Sequence, residues 1–146
     1  MPTARRPMPR PVSSRPVTPG PRAAPAAEHL AGPALRTFFR ISDAWKLSSD
    51  DTRKLLGDPP RSTYFLWKKT GTGQLARDTL ERISYILGIY KALQILLPDP
   101  AAADEWVRKP NSAPLFGGKP ALTRMLSGNV ADLYVVRQYL DAWRGG

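Results

Sequence analysis

Residues 106–128 read WVRKPNSAPLFGGKPALTRMLSG, from Trp106 to Gly128, and the order of breaks in this stretch governs how the rest of the chain packs. Pro110-Asn111 stops the helical pattern that ends near Lys109, because proline lacks an N–H and has a fixed φ. Pro120 suits the first turn of a new helix, where the missing donor is not needed. Gly117 and Gly118 allow the positive φ of a tight turn. Leu115 and Phe116 are apolar in the middle of this loop, so they must dock, either on the protein's own core or on a partner. The orientation of the flanking helices depends on this turn.

Before the turn, Gln74 to Leu97 is the longest helical candidate, ~36 Å at 1.5 Å per residue. Leu80, Ile83, Leu87 and Tyr90 form one row, and Ile86, Ile89, Leu93 and Leu97 an adjacent one. So wide a stripe predicts burial on more than one side, with surplus for a homodimer seam. Pro98 ends this helix, and Asp99-Pro100 starts a short one with Asp104, Glu105, Trp106 and Val107. After the turn, Leu122, Met125 and Leu126 precede Gly128, and Asn129 is placed to cap a last helix. There Leu133, Val136, Leu140 and Trp143 recur at spacings of three or four. No stretch shows sustained two-residue alternation, so the fold is read as all-α.

Further upstream, Leu35, Phe38, Phe39, Ala44, Trp45 and Leu47 share a helical face. Ser48 or Ser49 is an N-cap candidate, with Asp50 and Asp51 in the first turn favouring the helix dipole. This short helix stops at Gly57, Asp58-Pro59-Pro60 breaks the chain, and a second short helix from Arg61 ends at Gly71-Thr72-Gly73. Two short helices across a tight break, followed by a long one, make a helix-turn-helix. Arg61, Ser62 and Thr63 in the first turn of its second helix would reach base edges or phosphates, and Lys68 and Lys69 would meet phosphates. Trp67 is expected to face inward. The alternative is an ordinary helical hairpin with a solvated basic face.

The 146 residues carry 22 Lys+Arg against 12 Asp+Glu, a net charge of +10 that favours a polyanionic partner. Residues 1–33 hold nine of the 16 prolines and almost no large apolar side chain, so they are read as a disordered tail, either solvated or a basic arm on DNA. Cysteine is absent and the one histidine, His29, falls in that tail. Asp50–Asp51 and Asp104–Glu105 are neighbours that point apart on a helix. Catalytic, metal and cofactor sites are therefore not expected. No stretch of ~18 apolar residues spans a membrane, and the reading places the protein in the cytoplasm.

From about Arg82 to Gly146 the sequence resembles the Xre–MbcA–ParS antitoxins. The resemblance is carried by Arg82-Ile83-Ser84 with Leu87, Ile89-Tyr90-Lys91-Ala92-Leu93, Trp106, Pro110-Asn111, Phe116-Gly117-Gly118, Pro120 with Leu122 and Met125, and Val136 with Tyr139-Leu140. Thr123 departs from it, standing where the family often has Glu. The upstream helix-turn-helix, with Trp67 before a basic, Gly-ended turn, is similar to the Xre-type part of the same family.

The resemblance implies an antitoxin that neutralises a RES-domain toxin acting on NAD or transferring ADP-ribose from it. It also implies a homodimer, a toxin–antitoxin hetero-oligomer, and repression of its own operon through operator DNA. Domains are then expected at 1–33 (tail), 34–73 (helix-turn-helix) and 74–146 (long helix with the toxin-binding part). Toxin contacts are expected among Trp106, Asn111, Phe116, Gly117, Gly118, Lys119, Arg124, Tyr139, Trp143, Arg144, Gly145 and Gly146. Within this set, Arg144 and the glycines after it are read as a slim cationic segment suited to a polar, pyrophosphate-accepting cleft. The competing reading is a stand-alone helix-turn-helix regulator whose C-terminal helices only dimerise.

Overall fold

The computed structural model describes the backbone of residues 19–145 and the side chains of residues 31–145. Among the described residues seven α-helices follow in order: α1 (Pro19–Ala44), α2 (Ser49–Leu55), α3 (Arg61–Thr70), α4 (Arg77–Leu96), α5 (Pro100–Glu105), α6 (Ala121–Met125) and α7 (Val130–Trp143). A 3-10 turn, Trp106–Arg108, extends α5. Among the described residues there is no strand, only an isolated bridge between Pro110 and Pro120 that closes the loop between them. The all-α expectation holds.

α4 is the central post. Ile83, Ile86, Ile89, Ala92 and Leu93 are fully buried on it, with α1 packed on one side, α7 on another and α5 against its end. Each fully buried large aliphatic residue contributes about 1.5–3 kcal/mol. One continuous core runs from Leu35, Phe38 and Trp45 through Tyr64 and Trp67 to Met125, Leu133 and Leu140. The two halves of the chain thus share α4 and its buried faces.

The sequence reading misses in four places. α1 begins at Pro19, inside the stretch 1–33 read as a disordered tail. The five alanines from Ala23 to Ala31 are strong helix formers, and Ala31 continues the buried row of Leu35 and Phe38 backwards; proline content had masked this. At 26 residues α1, not α4, is the longest helix. The reading of residues 1–18 lies outside the described residues.

α4 itself starts at Arg77 rather than Gln74: residues 72–76 form no helix, with Ala76 extended at the N-cap and Gly73 close against Trp67. A Cβ on Gly73 would overlap the Trp67 indole. Asn129 occupies the N-cap of α7 but its side chain makes no capping bond. Ser127 ties this end together differently, accepting the Asn129 N–H at 3.1 Å and donating to Asp132 in the first turn, while the Asp132 N–H goes to the Asn129 carbonyl. Finally, Trp143 leaves the row of Leu133, Val136 and Leu140: they are fully buried, whereas it is 51% exposed.

Candidate functional site

Four of the expected toxin-contact residues, Trp106, Phe116, Tyr139 and Trp143, form one aromatic cluster. Phe116, 6% exposed, docks the 110–120 loop on the core. Its ring meets Trp106 edge-on at 5.9 Å and Tyr139 edge-on at 5.3 Å. Trp106 and Tyr139 stack at 6.4 Å, and Tyr139 reaches Trp143 at 6.5 Å. The docking of Phe116 is thus settled in favour of the protein's own core, and the cluster surfaces at Trp143.

The loop is held by its own backbone. Asn111 Oδ1 accepts the Ala113 N–H at 2.9 Å, a local turn typical of Asn. The Gly118 N–H donates to the Asn111 carbonyl at 2.8 Å, and the Asn111 N–H donates to that of Lys119 at 3.2 Å. Gly117 (φ 59°) and Gly118 (φ 86°) both take the left-handed conformation their identity predicts. They and Lys119 are exposed.

Arg124 is turned inward. Its Nε donates to Asp132 Oδ1 at 2.9 Å and its Nη1 to the Leu115 carbonyl at 3.1 Å. It joins α6, the loop and α7. Arg144 caps α7 through its backbone, and its guanidinium stands 3.8 Å from the Asp141 carboxylate, exposed beside Gly145. Gly146 lies outside the described residues.

Next to the cluster runs an open groove of about 820 Å³ that the sequence reading missed. Tyr85 from α4, Leu115 from the loop, and Tyr134, Arg137, Gln138 and Asp141 from α7 line it. Tyr85 and Tyr134 meet edge-on at 5.7 Å. The signal lay in α7, where positions 134, 137, 138 and 141 form a row alongside that of Leu133, Val136 and Leu140. Tyr85 Oη donates to Glu81 at 2.9 Å. That bond, then desolvation and the charge of Glu81, hold its phenol above the ordinary range, with Arg137 working in the other direction. Tyr85 therefore remains a protonated donor at neutral pH.

The helix-turn-helix is assembled by polar ties. Ser48 caps α2, its Oγ accepting the Asp51 N–H at 3.1 Å. Ser42 and Thr52 share a buried hydrogen bond of 2.6 Å that locks α2 against α1. Arg36 Nη1 donates to the Gly71 carbonyl at 3.1 Å, fixing the end of α3. On α3, Tyr64 and Trp67 face the core. Arg61, Ser62, Lys68 and Lys69 are exposed as expected, while Thr63 is half-buried at the flank. Arg82, nearly buried, donates to Asp78 at 2.8 Å and to the Gly128 carbonyl at 2.9 Å, tying the start of α4 to the turn before α7.

Among the described residues, no three His, Asp or Glu side chains gather where they would hold a metal, and no helix is long and apolar enough to cross a membrane.

Comparison with known proteins matches both halves. Residues 24–88 fit the antitoxin Xre-like helix-turn-helix domain. Residues 92–146 fit the antitoxin Xre/MbcA/ParS C-terminal toxin-binding domain. The boundary between the two falls inside α4, the helix that both halves pack on. The chain is also 54% identical over 125 residues, 85% of its length and 95% of the relative's, to the uncharacterized protein y4oB of Sinorhizobium fredii. With a toxin-binding domain joined to a helix-turn-helix domain, both of antitoxin type, the chain belongs to the Xre/MbcA/ParS antitoxin family.

Proposed function

We propose that this antitoxin neutralises a RES-domain toxin, one that consumes NAD or transfers ADP-ribose, by covering its active site. It acts in the cytoplasm as a homodimer within a toxin–antitoxin hetero-oligomer, and represses its own operon through α3. The observation that carries the reading is Trp143, half exposed at the outer end of a stack whose inner member, Phe116, is in the core. Large exposed aromatics of this kind, tryptophan above all, are enriched among binding hot spots. Arg144 beside it supplies a planar cation for carboxylate or phosphate groups at the mouth of a nucleotide cleft. Lys119, Gly117 and Gly118, exposed on the loop that Phe116 docks, are further contacts in this reading.

The test is co-expression with a RES-domain toxin encoded beside it. The expected outcome is a co-purifying complex in which NAD is no longer depleted. For the DNA part, Lys68→Ala with Lys69→Ala weakens binding across sequences and flattens its salt dependence by about two units of slope. A protein that shifts promoter DNA but never captures such a toxin is instead a stand-alone regulator.

A further inference from the structure

α3 presents a face that the core does not explain. Phe65 and Leu66 are 45% and 59% exposed at its centre, flanked by Arg61, Ser62, Lys68 and Lys69, and the helix has no acidic residue. The Arg61 guanidinium sits over the Phe65 ring, 5.8 Å from its centroid. Its Nη1 also donates to Asp50 Oδ1 of α2 at 3.1 Å. An ion pair this exposed adds little to stability. Its effect is positional: it holds a planar cation against an aromatic ring in the first turns of the second helix of a helix-turn-helix, where side chains reach base edges.

In the major groove an arginine pairs with guanine O6 and N7, and the thymine methyl is the apolar group on offer to a side chain such as Phe. The separation of 5.8 Å lies between one and two base-pair rises of roughly 3.4 Å. We infer that Arg61 and Phe65 act as one reader of a guanine beside a thymine, with Asp50 as the positioning residue for Arg61. This rests on the reading of α3 as the DNA-contacting helix. A second copy of the chain docking through the same face would set Arg61, Lys68 and Lys69 against their own counterparts, so charge favours duplex DNA as the occupant.

The experiment selects sites from a randomised duplex pool with the full chain, then substitutes single bases in the winning site. The expected site contains a guanine next to a thymine. Replacing that thymine by deoxyuridine, which removes only the methyl, lowers wild-type affinity several-fold, and replacing the guanine by 7-deazaguanine lowers it about tenfold. Phe65→Ala, at an exposed position that leaves the melting temperature in place, binds the thymine and deoxyuridine duplexes alike. Asp50→Asn weakens the guanine preference and leaves the methyl preference. Wild-type protein that binds with strong salt dependence yet ignores both base changes overturns the inference while sparing the DNA-binding reading; no salt-dependent binding to any duplex overturns both. Phe65→Ala that turns a dimer into a monomer with unaltered base preference also overturns it, and assigns the patch to a contact between copies.

Discussion

The guanidinium of Arg137 on α7 lies directly across Gly88 on α4: a Cβ at position 88 would stand 2.5 Å from Arg137 Cζ and Nε. The two helices cross where one residue has no side chain and the other lays its cation in the space.

Gly88→Ala therefore pits two effects against each other. Alanine in a helix interior is favoured over glycine by about 1 kcal/mol. The displaced group is the end of a flexible side chain, 37% exposed and held only by long contacts, 3.5 Å to the Ser84 carbonyl and 3.6 Å to Asp141. Stability is expected to change by less than about 1 kcal/mol, in the stabilising direction. Gly73→Ala is the contrast, since its Cβ would overlap the buried Trp67 indole, which has nowhere to swing. Overpacking there costs about 1–3 kcal/mol. Urea midpoints of the two variants check this; a larger loss for Gly88→Ala would mean that Arg137 is pinned.

Arg124→Ala removes the tie between α6, the loop and α7. Hydrogen bonds to charged groups contribute about 1.5–3 kcal/mol, reduced here by the partial exposure of Arg124 (36%) and Asp132 (19%). A loss of about 1–2 kcal/mol is expected, and Asp132→Ala should be non-additive with it because the two share one interaction. Toxin binding then weakens only as far as the joint loosens. Intact thermal stability together with lost toxin binding would return Arg124 to the contact surface, where the sequence reading had put it.

What could be read from the sequence followed from local chemistry. Ser48, the break after Leu56, Gly71 and the apolar rows of α4 each have one low-energy use, and together they specify a helix-turn-helix on a central helix. The turn at Gly117 and Gly118 was legible for the same reason, but which surface Phe116 docks on was not. Less legible was anything that depends on which atoms meet across the fold. The inward turn of Arg124 requires Asp132 and the Leu115 carbonyl to arrive from two other elements. The groove pairs Tyr85 of α4 with Tyr134 of α7. The Arg61–Phe65 pair is four residues apart on one helix, so its contact was open to sequence reasoning; its exposure was not. The start of α1 was lost because proline and alanine signals compete within residues 19–33, and burial from Ala31 onward decides for helix.

Gly117 isolates a backbone effect. No atom lies within 4 Å of a Cβ built there, so a substitution meets no clash and only its φ of 59° counts. Gly117→Val is expected to cost about 1–3 kcal/mol, since a β-branched residue resists the left-handed region. Gly117→Asn should cost less, because Asn visits that region more readily. Far-ultraviolet circular dichroism would show the helix content kept in both. Unchanged melting and unchanged neutralisation by Gly117→Val would mean that the turn is not a constrained element.

Trp143 separates binding from folding most sharply. It is half exposed and touches the rest of the aromatic cluster only through Tyr139 at 6.5 Å, so Trp143→Ala should alter stability by no more than about 0.5 kcal/mol. As the outer member of the stack it is expected to carry at least about 2 kcal/mol of toxin affinity, roughly thirtyfold in Kd. Arg144→Ala should behave likewise with a smaller loss of affinity, since its nearest acid is 3.8 Å away and its removal leaves no buried group unpaired. Removing every residue after Ala142 tests the two together, with complex formation and toxin activity measured separately. Loss of inhibition with the helical core still folded supports a segment that blocks the toxin's cleft. A truncated protein that binds and inhibits as well as the full chain removes Trp143 and Arg144 from the mechanism and moves the inhibitory surface to the Phe116–Met125 region.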